Sequence, residues 1–244
     1  MQLSGKVALV TGGTDGIGAQ LIRQLRDKGA TVITSGRDPG RIAATEAAGF
    51  EVIAADLTTL HGVDALLAGL AGLAGRAIDL LVNNAGMGGD HDFREAGEPD
   101  LAETERAIFL NLHAPIHLIT QLMPVLRARP EATIVNVTSG LAIAPRAGGP
   151  IYCATKAGLR SYTQAIRAQL VDSRITVIEA LPPVVETRMT AGRPNKKMSP
   201  QECASQIVAG IERGTPEINI GLVKILQVAH SISPALARRI MLQF

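Results

Sequence analysis

The sequence predicts an α/β fold, a doubly wound parallel sheet of seven strands with helices on both faces. Three observations carry this. Short apolar runs alternate with longer amphipathic stretches along the whole chain, the signature of repeated βαβ units. Runs such as Ile134-Val135-Asn136-Val137 and Val177-Ile178-Glu179-Ala180 are almost continuously apolar, as strands covered from both sides must be. A glycine-rich turn, Thr11 to Gly18, links the first apolar run to the first helical stretch.

Taken in order, strands are expected at Val7–Val10, Thr31–Thr34, Glu51–Ala54, Asp79–Val82, Thr133–Val137, Thr176–Ala180 and Glu217–Ile220, with helices between them. A chain of 244 residues that is 46% hydrophobic, with no linker, repeat or low-complexity tract, reads as one domain over 1–244. Within it, residues up to about 130 read as the cofactor half and those after as the catalytic half. The formal charge of +2 is scattered, with no basic stripe for nucleic acid or a membrane surface. No apolar run reaches the roughly 20 residues needed to span a bilayer. Cys153 and Cys203 lack metal spacing, and Met1 to Lys6 lack the apolar core of a signal peptide, so a cytoplasmic setting is expected.

Two segments carry chemistry. In Thr11-Gly12-Gly13-Thr14-Asp15-Gly16-Ile17-Gly18, backbone N–H groups at a helix N-terminus can approach a pyrophosphate without obstruction by Cβ atoms, as in a Rossmann dinucleotide site. Gly12, Gly16 and Gly18 take the tight turn, the close approach and the helix packing. In Tyr152-Cys153-Ala154-Thr155-Lys156, a spacing of four puts the ammonium beside the phenol on one helix face, which favours phenolate. Together they point to hydride transfer between a nicotinamide and a carbonyl or alcohol.

Ordered along the chain are this turn, Asn83-Asn84-Ala85-Gly86 after an apolar strand, Ser139 thirteen residues ahead of Tyr152, and Tyr-x-x-x-Lys. In this set the chain resembles the short-chain dehydrogenase/reductase family over most of its length. The resemblance implies Tyr152 as proton donor, Lys156 as the cation that activates it and holds the nicotinamide ribose, Ser139 as donor to the substrate oxygen, and Asn111 in a proton relay. Pro115 lies four residues beyond Asn111 and has no N–H to close a helical turn onto its carbonyl, leaving that oxygen for a water. For the cofactor it implies Gly12, Thr14, Asp15, Gly16, Ile17 and Gly18 of the turn, Asp56 and Leu57 at the adenine, and Asn83, Asn84, Ala85 and Gly86. Pro182, Val185 and Thr187 follow near the carboxamide. Pro183 stands where the family usually has glycine, so this loop is expected to be stiffer.

NADP(H) is favoured over NAD(H), because Gly36 replaces the acid that would hold a ribose diol and Arg37 supplies a fork for a 2′-phosphate. Asp15 stands against this, as a carboxylate that repels phosphate, or serves as a charge at a helix N-terminus. Asp56 is either an adenine partner or the cap of the next helix.

Met87, Leu141, Ile143, Val184 and Met189 would form an apolar substrate pocket with Arg146 as its nearby charge, and Thr187 to Ser199 a short lid. The substrate is then a small or medium apolar carbonyl or secondary alcohol. A ketone on a carrier-protein or coenzyme A thioester is the alternative, and a cofactor-sensing protein without turnover is a third reading that the four catalytic residues oppose. His113 and His117 read as two histidines on one helix face, and no metal is expected. Arg127, Arg129 and Arg174 read as solvated charge rather than a dock for an acidic carrier protein. A homodimer is expected through the helices of Asn111 and Tyr152. The segment from Leu222 through Ser233, Pro234, Arg238, Arg239 and Ile240 either packs on its own body or completes a tetramer.

Overall fold

The computed structural model describes residues 1–73, 77–89, 92–94, 98, 100–192 and 197–243. Residues 193–196 of the expected lid lie outside these. Seven parallel strands, β1 (Val7–Val10), β2 (Thr31–Gly36), β3 (Glu51–Ala54), β4 (Leu80–Asn83), β5 (Ala132–Val137), β6 (Ile175–Leu181) and β7 (Glu217–Asn219), form one sheet in the order β3-β2-β1-β4-β5-β6-β7. The order reverses between β1 and β4, where chain leaving the two strands diverges and opens a crevice at their carboxyl ends.

Successive strand residues point to opposite faces, and both faces are apolar. Val10, Val82 and Val135 pack with Leu21, Ile22 and Leu25 of α1 (Gly16–Asp27) and Ile207 and Ile211 of α7 (Pro200–Arg213). Leu9, Leu81 and Ile134 pack on the other side with Leu66 of α3 (Leu60–Gly72) and Leu118 and Leu122 of α5 (Ala114–Arg127). β2, β4 and β6 run a residue or two past the expected ends where a neighbour offers pairing, as Gly36 does opposite Ala54 and Asn83 opposite Asn136, while β7 stops at Asn219, one residue short of the expected Ile220.

Helix starts follow local capping. Asp15 accepts from Gly16 N at 2.8 Å to start α1, Asp38 caps α2 (Pro39–Ala47) with Pro39 in its first turn, and Ser199 caps α7. Helix α3 is capped by Thr59, which accepts from Gly62 N, and not by Asp56. Helix α4 (Leu101–Ile108) runs into α5 through a π turn, Phe109–His113, in which Ala114 N reaches back to Phe109 O. Pro115 follows directly, so the wide turn falls where the helix has lost a donor. The continuous helix from Leu101 to Arg127 is long and apolar enough to cross a bilayer. Leu110, Leu118, Ile119 and Leu126 are nevertheless spent in the core. Helix α6 (Pro150–Gln169) carries Tyr152 and Lys156 beside it.

The segment after β7 forms a helical pair, α8 (Val223–Ile232) and α9 (Pro234–Met241). Only Val223 and Ala237 of the pair are buried, while Leu222, Ile225 and Val228 remain exposed, so the pair does not spend its apolar residues on its own body.

Arg129 corrects one expectation. It is not solvated helix-end charge: its Nε donates to Asp79 Oδ1 at 2.7 Å, and the buried Asp79 carboxylate also accepts from Val7 N at 2.9 Å. This ties the end of α5 to the start of the sheet. Asp79→Ala leaves an arginine and a strand N–H unpaired, and removing one partner of such a half-shielded pair costs about 2 kcal/mol. Thermal unfolding should shift down by about 4–8 °C for a chain of this size. A midpoint within a degree of the parent's would show that the pair contributes nothing.

Candidate active site

At the carboxyl end of β1, Gly12 adopts φ +69° and Gly16 φ +53°, conformations that side chains rarely take. Gly18 is needed for space: a Cβ there would lie 2.1 Å from Gly12 O and 2.6 Å from Asn84 Nδ2. Gly13, outside the expected set, is equally constrained, since a Cβ would meet Thr34 Oγ1 at 2.1 Å. The turn is held from β4. Asn84 Nδ2 donates to Thr11 O at 3.0 Å, and Thr11 Oγ1 accepts from the N–H groups of Asn84 and Ala85, both at 3.0 Å.

Ser139 and Tyr152 border the same crevice. Ser139, just past the end of β5, is buried and accepts from Leu141 N at 3.1 Å, which starts a short 3₁₀ turn at Gly140–Ala142. On α6, Lys156 is buried, donates to Val137 O at 2.9 Å and lies 5.7 Å from the Tyr152 ring centroid. Burial holds its ammonium down to about 8. Asn111, fully buried in the π turn, clamps the neighbouring loop: Nδ2 donates to Met87 O at 2.9 Å and Thr155 Oγ1 at 3.2 Å, and Oδ1 accepts from Met87 N at 3.0 Å. A Cβ on Gly86 would come within 3.2 Å of Asn111 Oδ1 and 3.5 Å of Lys156 Nζ.

These groups share one cavity of about 1390 Å³ that runs from the glycine turn to α8. Thr14, Asp15, Ile17, Asp56, Leu57, Ala85, Pro182, Val185 and Thr187 line it. So do Met87, Leu141, Arg146, Val184 and Met189. Asn83 and Ile143 do not. Asn83 lies within β4, and its amide donates to Asn136 Oδ1 at 2.9 Å beneath the sheet's end. Ile143 N closes the 3₁₀ turn onto Gly140 O at 3.0 Å. Gly18 supports the turn from behind, and Asn111 acts on the cavity wall through Met87.

At the end of the cavity beyond β2 and β3, Arg37 pairs loosely with Asp56 at 3.5 Å. Asp56 accepts from Thr58 N at 3.2 Å and Thr58 Oγ1 at 3.0 Å. Arg41 is the residue that sequence reasoning missed. Its guanidinium lies between Asp15 at 3.8 Å and Asp38 at 3.6 Å, lines the cavity, and keeps a buried Nε without a partner among the described residues. The signal was available, because Asp38 caps α2 and Arg41 follows one turn on, on the face of Asp38. Arg188 also approaches Asp15, at 4.0 Å, so the carboxylate that stood against a phosphate is bracketed by two arginines. Cys153 and Cys203 are buried thiols outside any disulfide, with burial pushing Cys203 up to about 12. Among the described residues no three His, Cys, Asp or Glu side chains converge as metal ligands.

The chain matches the family model for short chain dehydrogenases over residues 6–198 and belongs to that family. Its relatives include an uncharacterized oxidoreductase, DltE, of Bacillus subtilis, 35% identical over 226 residues with 89% of each chain covered. Another is the ketoacyl reductase HetN of a Nostoc species, 30% identical with 98% of this chain and 88% of the relative covered. Among solved structures, a short chain dehydrogenase of Burkholderia cenocepacia in complex with NADP superimposes with a TM-score of 0.87 at 27% identity, covering 99% of both chains. The protein is therefore an NAD(P)-dependent oxidoreductase.

The buried cation has a pH signature. Between about pH 8 and 10.5, unfolded chains hold a proton on Lys156 that the folded protein has released. The cost of burying the charge is thus present below pH 8 and relieved as pH rises, so this residue makes stability increase across the window. Chemical denaturation of the parent and of Lys156→Met at a series of pH values should show their stability difference moving in the parent's favour through that window. A difference independent of pH would mean that Lys156 titrates normally.

Proposed function

We propose that this enzyme is an NADP(H)-dependent carbonyl reductase or alcohol dehydrogenase for small or medium apolar substrates. One observation carries the reading: a single cavity joins a two-arginine end, Arg37 and Arg41, to a Ser139-Tyr152-Lys156 end walled by Met87, Leu141, Val184 and Met189. The glycine turn fits a dinucleotide, since added Cβ atoms at Gly12 and Gly36 would fill the cradle against Ala85 and Thr14. A bound nicotinamide cofactor supplies or takes the hydride. Residues ahead of about 130 supply most of its cradle, and those after supply the proton chemistry, the ribose and carboxamide contacts and most of the substrate walls.

Tyr152 donates the proton to the carbonyl oxygen during reduction and takes it back during oxidation. Ser139 donates a hydrogen bond to the same oxygen and fixes its direction. Lys156 favours the phenolate through its charge and holds ribose hydroxyls. Asn111 keeps Met87 and Thr155 in place around it and, with its carbonyl in the widened turn, supports a water-mediated path to Lys156. The division between a tightly held serine and a cation whose charge is marginal near pH 8 suits a proton relay.

A thioester ketone is the second reading, favoured by the similarity to a ketoacyl reductase. Against it, Arg129 is already committed to Asp79, which weakens the basic patch a carrier protein would meet. We assign the enzyme to the cytoplasm, where its two buried thiols stay reduced, and to a homodimer through the helices of Asn111 and Tyr152.

A panel of aldehydes, ketones and secondary alcohols, with NADPH and NADH followed in parallel, tests the substrate class. Tyr152→Phe should abolish turnover and leave NADPH binding nearly intact; turnover within about tenfold of the parent would exclude the tyrosine as the acid, which is worth 10²–10⁴-fold. Arg37→Ala and Arg41→Ala should each weaken NADPH by about 1.5–3 kcal/mol, the scale of a charge-assisted hydrogen bond, and leave NADH unchanged. Equal losses for both cofactors, read by fluorescence titration, would refute recognition of the 2′-phosphate.

A further inference from the structure

The whole-chain balance of +2 hides a local asymmetry. After Glu217 there is no aspartate or glutamate, while Lys224, Arg238 and Arg239 are all basic; the rest of the chain holds 21 basic and 22 acidic residues. None of the three cations has a carboxylate partner among the described residues, and all are exposed. They sit on the α8–α9 pair, whose Leu222, Ile225, Val228, Ile232, Leu236 and Ile240 are between 46% and 81% exposed. Ile225, Val228 and Ile232 recur at three- and four-residue steps, so they form one stripe on α8. Val223 and Ala237 alone anchor the pair, and Val223 seats over Gly140, where a Cβ would come within 2.8 Å.

We propose that the α8–α9 pair docks on an anionic lipid bilayer, with its apolar stripe in the headgroup boundary and Lys224, Arg238 and Arg239 among the phosphates. A helix that is apolar on one side, basic on its flanks and too short to span is the form that lies in an interface. A second copy of this chain is a poorer occupant: a twofold contact through this face would bring its cations together with no acid in the segment to neutralise them. The position matters because Leu222, Val223, Leu226 and Met241 of this pair also line the cavity. Docking therefore puts the rim of the cavity against the apolar layer, a route by which an apolar carbonyl leaves the bilayer for Ser139 and Tyr152. That route rests on the proposed oxidoreductase reading; the docking itself does not.

Co-sedimentation of the full chain with vesicles tests the docking without turnover. The parent should bind phosphatidylcholine vesicles containing phosphatidylglycerol, bind pure phosphatidylcholine far less, and lose binding as salt is raised. Lys224→Gln/Arg238→Gln/Arg239→Gln should lower partition to the anionic vesicles on the order of 100-fold, and Ile225→Ser/Val228→Ser/Ile232→Ser should also abolish it. Melting temperature and NADPH binding check that both variants stay folded, and none of the substituted residues lines the cavity. No binding by the parent, or equal binding by parent and both variants, would overturn the proposal. So would a light-scattering mass that falls in the serine variant when the parent ignores vesicles, which would assign the face to a second copy. Vesicle binding with no gain in turnover of a membrane-dissolved ketone would keep the docking and remove only the substrate route.

Discussion

A lysine with its ammonium inside the protein constrains everything around it. Lys156 donates to the Val137 carbonyl at the end of β5, and burial has already loosened its proton. The loop after β4 comes close here, and a Cβ at residue 86 would crowd Asn111 Oδ1 at 3.2 Å and touch Lys156 Nζ at 3.5 Å. The Asn111 amide fixes that loop with three hydrogen bonds to Met87 and Thr155. The amide in turn reaches the loop from the π turn ahead of Pro115, where the helix is wider than an α-helix. Sequence, helix irregularity and a perturbed cation are thus links of one chain.

The other end of the crevice is built on weaker forces, and that suits it to exchange partners. Arg37, Arg41 and Arg188 meet Asp56, Asp15 and Asp38 at 3.5–4.0 Å, at half-exposed positions where such pairs contribute 0–1 kcal/mol each. On the proposed NADP(H) reading, a 2′-phosphate offers Arg37 and Arg41 shorter, bidentate contacts than these carboxylates do. Asp15 keeps a role throughout as the cap of α1. A residue that looks hostile to phosphate in isolation is neutralised by neighbours 26 and 173 positions away in the chain.

What could be read from the sequence follows from what is local. The glycine turn, the Tyr-Lys pair and the strand sequence depend on backbone sterics and on periods of two and 3.6, which neighbouring residues express directly. Asn83 lies one step before Asn84, which does line the crevice, and along a strand a single residue changes the face; Ile143 lies two residues past the lining Leu141, at the end of the 3₁₀ turn. Arg129 escaped because its partner, Asp79, is 50 positions away and sits at a strand start that looks like an ordinary boundary. The cavity-lining side of α8 depends on how the last helices fold back, which no window of sequence contains.

The cavity's floor and roof also differ in kind. Beneath Ser139, Thr138 Oγ1 donates to Glu179 Oε1 and Arg160 donates to Glu179 Oε2, both at 2.6 Å, with the carboxylate buried in β6 and Arg160 one turn beyond Lys156 on α6. Burial pushes the Glu179 carboxyl up, and the threonine hydroxyl and the arginine oppose that shift. Such a network couples the chain leaving β5 at Ser139 to the helix carrying Tyr152, so these two side chains sit on elements held by interactions that are expensive to break. The roof rests on Val223 and Ala237. A rigid floor fixes the chemistry while a lightly anchored roof leaves the substrate's size open, and variation in this enzyme's substrates should therefore be sought in α8 and α9 and not in the catalytic strand ends.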